Sequence, residues 1–481
     1  MRTATAGLLL LASTGPAAAQ AGPVPSRPPN IVYILADDLG YGELGCYGQQ
    51  RIRTTNLDRL AAQGMRFTQH YSGAPVCAPS RCVLMTGRHS GHATIRDNQE
   101  HRPEGQAPIA AADVTIAEVL RGHGYRSGAF GKWGLGFPGG EGDPLRQGFD
   151  RFFGYNCQRQ AHNFYPRYLW SDDRKVELEG NDRGATGAQY AHDVITAQAI
   201  EFVRAHRDAP FFLFVPFTLP HLALQVPEES LAEYRGRWPE TPYEGKSYLP
   251  HPTPRACYAA MITHLDKNAG QLLDELDALG LAADTLVVFS SDNGPTHLNP
   301  QVDVEFFGSA GGLRGLKGSV YEGGIRVPMI ARWPGRIAPG TVTDHVSAFQ
   351  DVLPTLAALA GAEPPADCDG ISFAPILRGE PTAQAEHAEL LWDFPGYGGQ
   401  LAMRAGDWKA VRRGLRKDPD APIELYDLAA DPGEQRDAAA DHPERAAAMA
   451  ARMVALRTRP ALEPFRFGRY ADDPAPADGG R

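Results

Sequence analysis

The chain is poor in cysteine, with six in 481 residues at positions 46, 77, 82, 157, 257 and 368. That is too sparse and irregular for a fold stapled by disulfides. There is no Cys-x-x-Cys pair and no His-Glu-x-x-His helix, so the usual zinc patterns are missing. No segment approaches the roughly 20 consecutive apolar residues of a membrane helix, which argues against stable membrane insertion. Positive charge is also in deficit, 47 Lys and Arg against 57 Asp and Glu, a net −10. Nucleic acid is therefore excluded as the expected partner, since its binders carry a broad basic surface. An anionic ligand would have to be held by a local cluster of cations. The sequence shows no internal repeat.

Met1–Ala21 has an early arginine, an apolar run over Leu8–Ala12 and small residues ending Ala19-Gln20-Ala21, the pattern of a cleaved secretory signal. With no cysteine at its end to anchor a lipid, and with an Ala-, Arg- and Gly-rich composition, the chain is expected to be a periplasmic or secreted bacterial protein. The length suits a large α/β core with a smaller appendage. Asn30–Ala36 is a continuous apolar, β-branched run that ends in Asp37-Asp38, as a buried parallel strand would. Further strands are expected over 126–130, 211–217 and 285–291. Helices are expected over 56–65, 114–123, 189–206 and 256–279. Strand alternating with helix predicts a mostly parallel sheet sandwiched by helices. From about Glu380 the pattern changes to short strands at 390–392, 408–412 and 424–428 and a helix over 443–456, a smaller antiparallel sheet plus helix. The expected division is signal 1–21, main domain 28–379, C-terminal subdomain 380–470 and a disordered tail 471–481.

Ligands of parallel sheets sit beyond the strand C-termini, and the chemically suggestive residues fall there. Asp37 and Asp38 follow one strand, Lys132 another, His221 a third, Asp292 and Asn293 a fourth. Adjacent acids after a strand usually make a solvated turn. A second oxygen pair placed the same way changes that reading, because four oxygen donors suit a hard divalent cation and not zinc. Calcium is the expected ion and magnesium the alternative. Pro79 is well placed in a helical first turn, which puts Cys77 at a positive helix terminus.

Cys77-Ala78-Pro79-Ser80-Arg81, continued by Leu84, Thr86, Gly87 and Arg88, resembles the signature of the type I, formylglycine-dependent sulfatases of the alkaline-phosphatase-like superfamily. Gly131–Gly136, Leu313–Gly318 with Tyr321–Arg326, and Thr218–His221 are similar to further segments of that family in the same order. The resemblance implies that a maturation enzyme oxidises Cys77 to formylglycine. The aldehyde hydrate carries one hydroxyl to attack sulfur and another to expel sulfate. It also implies that Asp37, Asp38, Asp292, Asn293 and the modified Cys77 ligate calcium, that Arg81 assists the nucleophile, that Lys132 and Lys317 bind the sulfate, and that His221 protonates the leaving oxygen.

One position departs from the family. Many sulfatases have a histidine two residues after the first lysine, where this chain has Gly134. The local substitute is His162, as a base or, by preference, as a substrate-binding sugar contact, since Tyr155, Tyr165, Tyr168 and Trp170 surround it in sequence. Gly131–Trp170 and Glu424–Glu434 look like bacterial arylsulfatase and N-acetylgalactosamine-sulfatase-type enzymes, implying a sulfated glycan or small sulfate ester as substrate. A phosphodiester or phosphonate monoester hydrolase on the same fold is the rival enzyme. A non-catalytic sulfated-glycan-binding protein is the rival from another class.

Overall fold

A computed structural model of the chain describes residues 27–298 and 302–473. The expected secretory leader lies outside them. A large sheet of eleven strands dominates, in the spatial order 341–343, 65–71, 326–332, 285–291, 30–37, 211–220, 126–132, 151–155, 168–171, 174–177, with Ser347–Ala348 also pairing on Met65–Tyr71. Its five central strands, from Thr285–Ser291 to Arg151–Tyr155, are parallel. Arg326–Arg332 runs antiparallel to both its neighbours.

The central strand Asn30–Asp37 is buried along its whole length. Val32, Ile34 and Ala36 face one core, with the 191–206 and 254–278 helices. Ile31, Tyr33 and Leu35 face another, with the 77–86, 116–121 and 352–360 helices. Burial of both faces is why this strand reads as an unbroken apolar run. It also makes the sheet a rigid platform whose C-terminal edge is the natural place for a site.

One expectation needs correction. The helix expected over 56–65 stops at Ala62, and Met65 opens the strand Met65–Tyr71. Gln63 closes that helix and Gly64 turns the chain. Its strand is half-buried, with a less regular apolar pattern than the centre of the sheet. The six cysteines are all unbridged.

The small sheet is antiparallel, in the order 390–394, 400–405, 408–413, 423–427, and the Pro443–Ala455 helix packs Met449 and Met453 on it. Residues 471–473 of the expected tail form a turn in which Asp472 and Asp473 pair with Arg459. Residues 474–481 lie outside the described residues. No helix among the described residues is long and apolar enough to cross a membrane.

Candidate functional site

Asp37 is the last residue of its strand, and Asp38 follows with a positive φ of 65°, a left-handed conformation that aspartate tolerates better than most residues. The turn aims the two carboxylates in different directions across one cavity. Lys132 ends its own strand, His221 follows Phe211–Pro220, and Asp292 and Asn293 follow Thr285–Ser291. All six side chains are essentially buried.

Cys77 opens the helix Cys77–Thr86 after the extended residue Val76. The Asn98 carboxamide oxygen accepts from the Ala78 amide at 3.0 Å, occupying one of the free N–H groups of the first turn. Cys77 Sγ lies 3.3 Å from Asp37 Oδ1 and 3.4 Å from Lys317 Nζ. Arg81, one turn on, reaches Asp292 Oδ2 through Nε at 3.0 Å and Nη2 at 2.9 Å, and its Nη1 donates to the Lys132 carbonyl. Lys132 Nζ lies 2.6 Å from Asp37 Oδ2, and Lys317 Nζ lies 2.8 Å from Asp38.

Three carboxylates and three cations are thus buried together, and their titration follows from that crowding. Burial opposes charge on Asp37, but Lys132, His221, Arg81 and Lys317 outweigh it and hold its carboxyl well below the usual range. Asp292 goes the other way, to about 7, through burial and then the neighbouring Asp37 charge. Burial, with Asp37 beside it, pushes the Cys77 thiol up to about 12. An unmodified Cys77 is therefore a neutral thiol here, not a thiolate nucleophile.

Ligand atoms of Asp37, Asp38, Cys77 and His221 lie within 4.8 Å of one another, a group able to hold a metal ion. Asn293 Nδ2 donates to Asp38 Oδ1 at 2.8 Å, whereas its Oδ1 is buried without a partner. A buried carboxamide oxygen left unmatched among carboxylates fits a hard cation. Asp292 stands behind this group, its oxygens taken by Arg81 and by the Asp38 amide at 3.2 Å.

His221 Nδ1 donates to the Leu222 carbonyl, which leaves Nε2 as the free position, 3.6 Å from Asp38 Oδ2. Burial and then Lys317 hold its imidazole well below the ordinary histidine value. His162 stacks on this ring, centroids 4.7 Å apart and planes 11° from parallel. Burial, followed by His221 and Lys132, takes His162 down to about 2. Gly134 has φ +76°, and the side chain facing it is the Gln158 carboxamide, which donates to Asn98 Oδ1 at 3.1 Å.

Asp37, Asp38, Cys77, Arg81, Lys132, His162, His221, Asp292, Asn293 and Lys317, the site residues expected from the sequence, are therefore brought together in one group. Three residues were not singled out there. Tyr248 sits edge-on to both His162 and His221. Asn98 holds the first turn of the Cys77 helix. His297 follows Asp292 in the same loop, and its position five residues past a motif acid was the one available signal. A second histidine group, His89, His92 and Asp369, reads differently. His89 Nδ1 accepts the Gly91 amide, so neutral His89 carries its proton on Nε2, while His92 Nδ1 is 3.0 Å from Asp369. It is a hydrogen-bonded brace between the end of the Cys77 helix and the 362–373 loop.

Residues 29–362 match the family model Sulfatase, and residues 316–459 match the model N-sulphoglucosamine sulphohydrolase, C-terminal. Human Arylsulfatase A is 35% identical over 462 residues, covering 86% of this chain and 84% of the relative. Mouse N-acetylgalactosamine-6-sulfatase is 32% identical, with 78% and 70% covered. Among solved structures, that of Ps i-CgsB in complex with k-i-k-neocarrahexaose superposes with a TM-score of 0.73 at 27% identity, covering 89% of this chain and 92% of the other.

Proposed function

The chain belongs to the sulfatase family and is a sulfate ester hydrolase, and from that premise we propose that it acts on a sulfated carbohydrate with a formylglycine made from Cys77. The observation that carries this reading is the setting of Cys77. Its buried thiol is held neutral, yet it opens a helix with Lys317 3.4 Å away and Arg81 one turn on. That is a poor place for a thiolate and a good one for an oxygen nucleophile attacking an anion. Formylglycine would supply there a hydrated aldehyde, whose hydroxyl is such a nucleophile. Asp37, Asp38, Asn293 and residue 77 would hold calcium, joined by Asp292 through an oxygen lone pair not used by Arg81 or the Asp38 amide, and the ion would add positive charge beside the sulfate oxygens.

The chain's own residues then divide the work. Lys132 and Lys317 bind the sulfate oxygens from two sides, exchanging part of their pairing with Asp37 and Asp38 for the ligand. Because they are buried and fixed before the substrate arrives, their charge acts at low local dielectric. Arg81 is locked by Asp292 and the Lys132 carbonyl, and so fixes the helix relative to the strand ends. Burial and then the Lys317 charge hold down the proton affinity of the free Nε2 of His221, which takes up a proton when an anionic ester offsets that charge and gives it to the departing oxygen. The expected partners are a sulfated glycan and a formylglycine-generating enzyme, and the expected compartment is periplasmic or extracellular. The main domain over 28–379 supplies the chemistry and the subdomain over 380–470 buttresses it. The resemblance of the chain to relatives named for sulfated sugars supports the substrate class.

The test is co-expression with a formylglycine-generating enzyme, mass spectrometry of the peptide ending at Arg81, and measurement of sulfate release. The expected result is an aldehyde at residue 77 and turnover that Cys77→Ala abolishes. Full activity with a reduced, unmodified Cys77 would overturn the mechanism.

A further inference from the structure

We propose that Tyr397, at the tip of a hairpin in the small sheet, is a specificity-determining residue that stacks on the apolar face of the ring carrying the sulfate ester. The proposal rests on the sulfated-carbohydrate reading above and names the part of the chain that would hold the sugar.

Four observations carry it. Tyr397 is the most exposed of the large hydrophobic residues among those described, at 65%. It has a φ of +48°, which a bulky residue adopts only under strain, yet Gly396, Gly398 and Gly399 surround it. Any of these would have accepted that conformation at less cost, so the fold holds a tyrosine where the backbone favours glycine.

The ring is also placed with respect to the chemistry. A Cβ built on Gly318 would fall 2.7 Å from Tyr397 Cε2, so the ring lies directly over the residue that follows Lys317. Its phenol is within electrostatic reach of Lys317, Asp97 and Asp38. The His297 ring packs edge-on with it, centroids 5.8 Å apart. Finally, the hairpin is fastened to the lysine loop, because Gln400 Nε2 donates to the Gly318 carbonyl at 2.8 Å and Phe394 pairs with Gln400 across the turn. The C-terminal sheet thus delivers one rigid aromatic face to the rim of the cavity, beside the lysine that faces residue 77. A ring face bearing several C–H groups, as a pyranose has, is complementary to it.

The experiment compares Tyr397→Ala, Tyr397→Phe and Tyr397→Gly in the matured enzyme, with N-acetylgalactosamine 6-sulfate and p-nitrophenyl sulfate as probes and with the melting temperature. Stacking predicts that Tyr397→Ala raises KM for the sugar sulfate about 10-fold with kcat within about twofold, and that Tyr397→Phe stays near the parent. Tyr397→Gly should raise KM as much while keeping or raising the melting temperature, since glycine relieves the strained backbone. A KM unchanged by Tyr397→Ala overturns the proposal. So does an equal loss in Tyr397→Phe, which would assign the effect to the hydroxyl, and so does a KM rise matched by unfolding in all three variants. If the parent enzyme hydrolyses only the aryl sulfate, the carbohydrate reading fails instead, and stacking is judged by the same KM criteria on the aryl ring.

Discussion

Two clusters of buried charge lie about one segment, and they are built to opposite ends. At the junction with the small sheet, Lys409 bridges Glu322 and Glu434. Each of the four carboxylate oxygens there sits 2.6–2.9 Å from a nitrogen or hydroxyl, supplied by Lys409, the Tyr71 hydroxyl and the Glu322 amide. At the strand ends, burial and then the neighbouring Asp37 charge lift Asp292, and Asn293 Oδ1 has no partner. The first cluster is closed by ion pairs, although Glu434 Oε1 meets Lys409 Nζ at 2.9 Å without a hydrogen bond, and a buried ionic group matched in this way helps fix one packing. The second is open, and the charges it leaves unbalanced are those a sulfate and a cation would meet. Glu322 lies five residues beyond Lys317, so the closed cluster anchors the loop that serves the open one.

The largest effect is expected where the closed cluster is broken. Lys409→Met strands two buried glutamates and should cost on the order of 3–5 kcal/mol of stability, read as a large fall in melting temperature or denaturant midpoint. The molecules that remain folded should keep the parent's KM for small sulfates. If stability held while turnover vanished, Lys409 would belong to the chemistry and the contrast would collapse.

Next comes a lysine of the open cluster. Lys317→Ala should leave a folded protein and lower kcat by about 10²–10³, the usual scale for losing one preorganised stabiliser of transition-state charge. Circular dichroism and sulfate release on one preparation decide it. A rate within threefold of the parent would remove Lys317 from the sulfate-binding set.

The Asp292 carboxyl sharpens the comparison through pH. Its folded value of about 7 stands above the ordinary carboxylate value of 3.8, raised by burial and by Asp37. A raised value means that the folded state holds the proton more tightly than the unfolded one. Its contribution to stability is therefore complete below about pH 4 and is lost as pH rises toward 7. In chelator-treated protein, Asp292→Asn should flatten that decline by roughly 1–2 kcal/mol, discounted for lost pairing with Arg81, while abolishing activity. A decline unchanged in the variant would mean that another group carries it. Added calcium should restore the parent's stability at neutral pH and not the variant's.

How much of this was legible in the sequence depends on how local each cause is. The strand Asn30–Asp37 could be read because both its faces are buried, so its composition alone marks it. Met65–Tyr71 could not, because what makes it a strand is pairing with Arg326–Arg332, more than 250 residues away, and its half-buried sequence lacks a regular pattern. The site divides in the same way. Cys77, Arg81, Lys132, His221 and Lys317 each sit in a short segment whose neighbours announce a turn or a strand end. Tyr248 and Asn98 join them from segments with no such mark. For Tyr397 the signal was an aromatic residue inside Pro395-Gly396-Tyr397-Gly398-Gly399, where a turn has no need of one.

The smallest effect concerns His162, which separates chemistry from recognition within the open cluster. Its ring is stacked on His221 and, driven down to about 2 by burial and then by the charges of His221 and Lys132, is neutral near neutral pH. It therefore gives no acid, but it can accept a hydrogen bond from a sugar hydroxyl or take a proton during recovery of residue 77. The Tyr248 edge at 5.5 Å and the Gln158 carboxamide facing Gly134 make this side of the cavity one of rings and amides, which favours recognition. His162→Ala should then raise KM for a sulfated monosaccharide about 3- to 10-fold, leave p-nitrophenyl sulfate nearly unchanged, and leave the pH profile of kcat in place. A burst of released alcohol followed by stalled turnover, with sulfate found on residue 77, would make His162 the missing base instead. Unchanged parameters on both substrates would reduce it to a packing partner of His221.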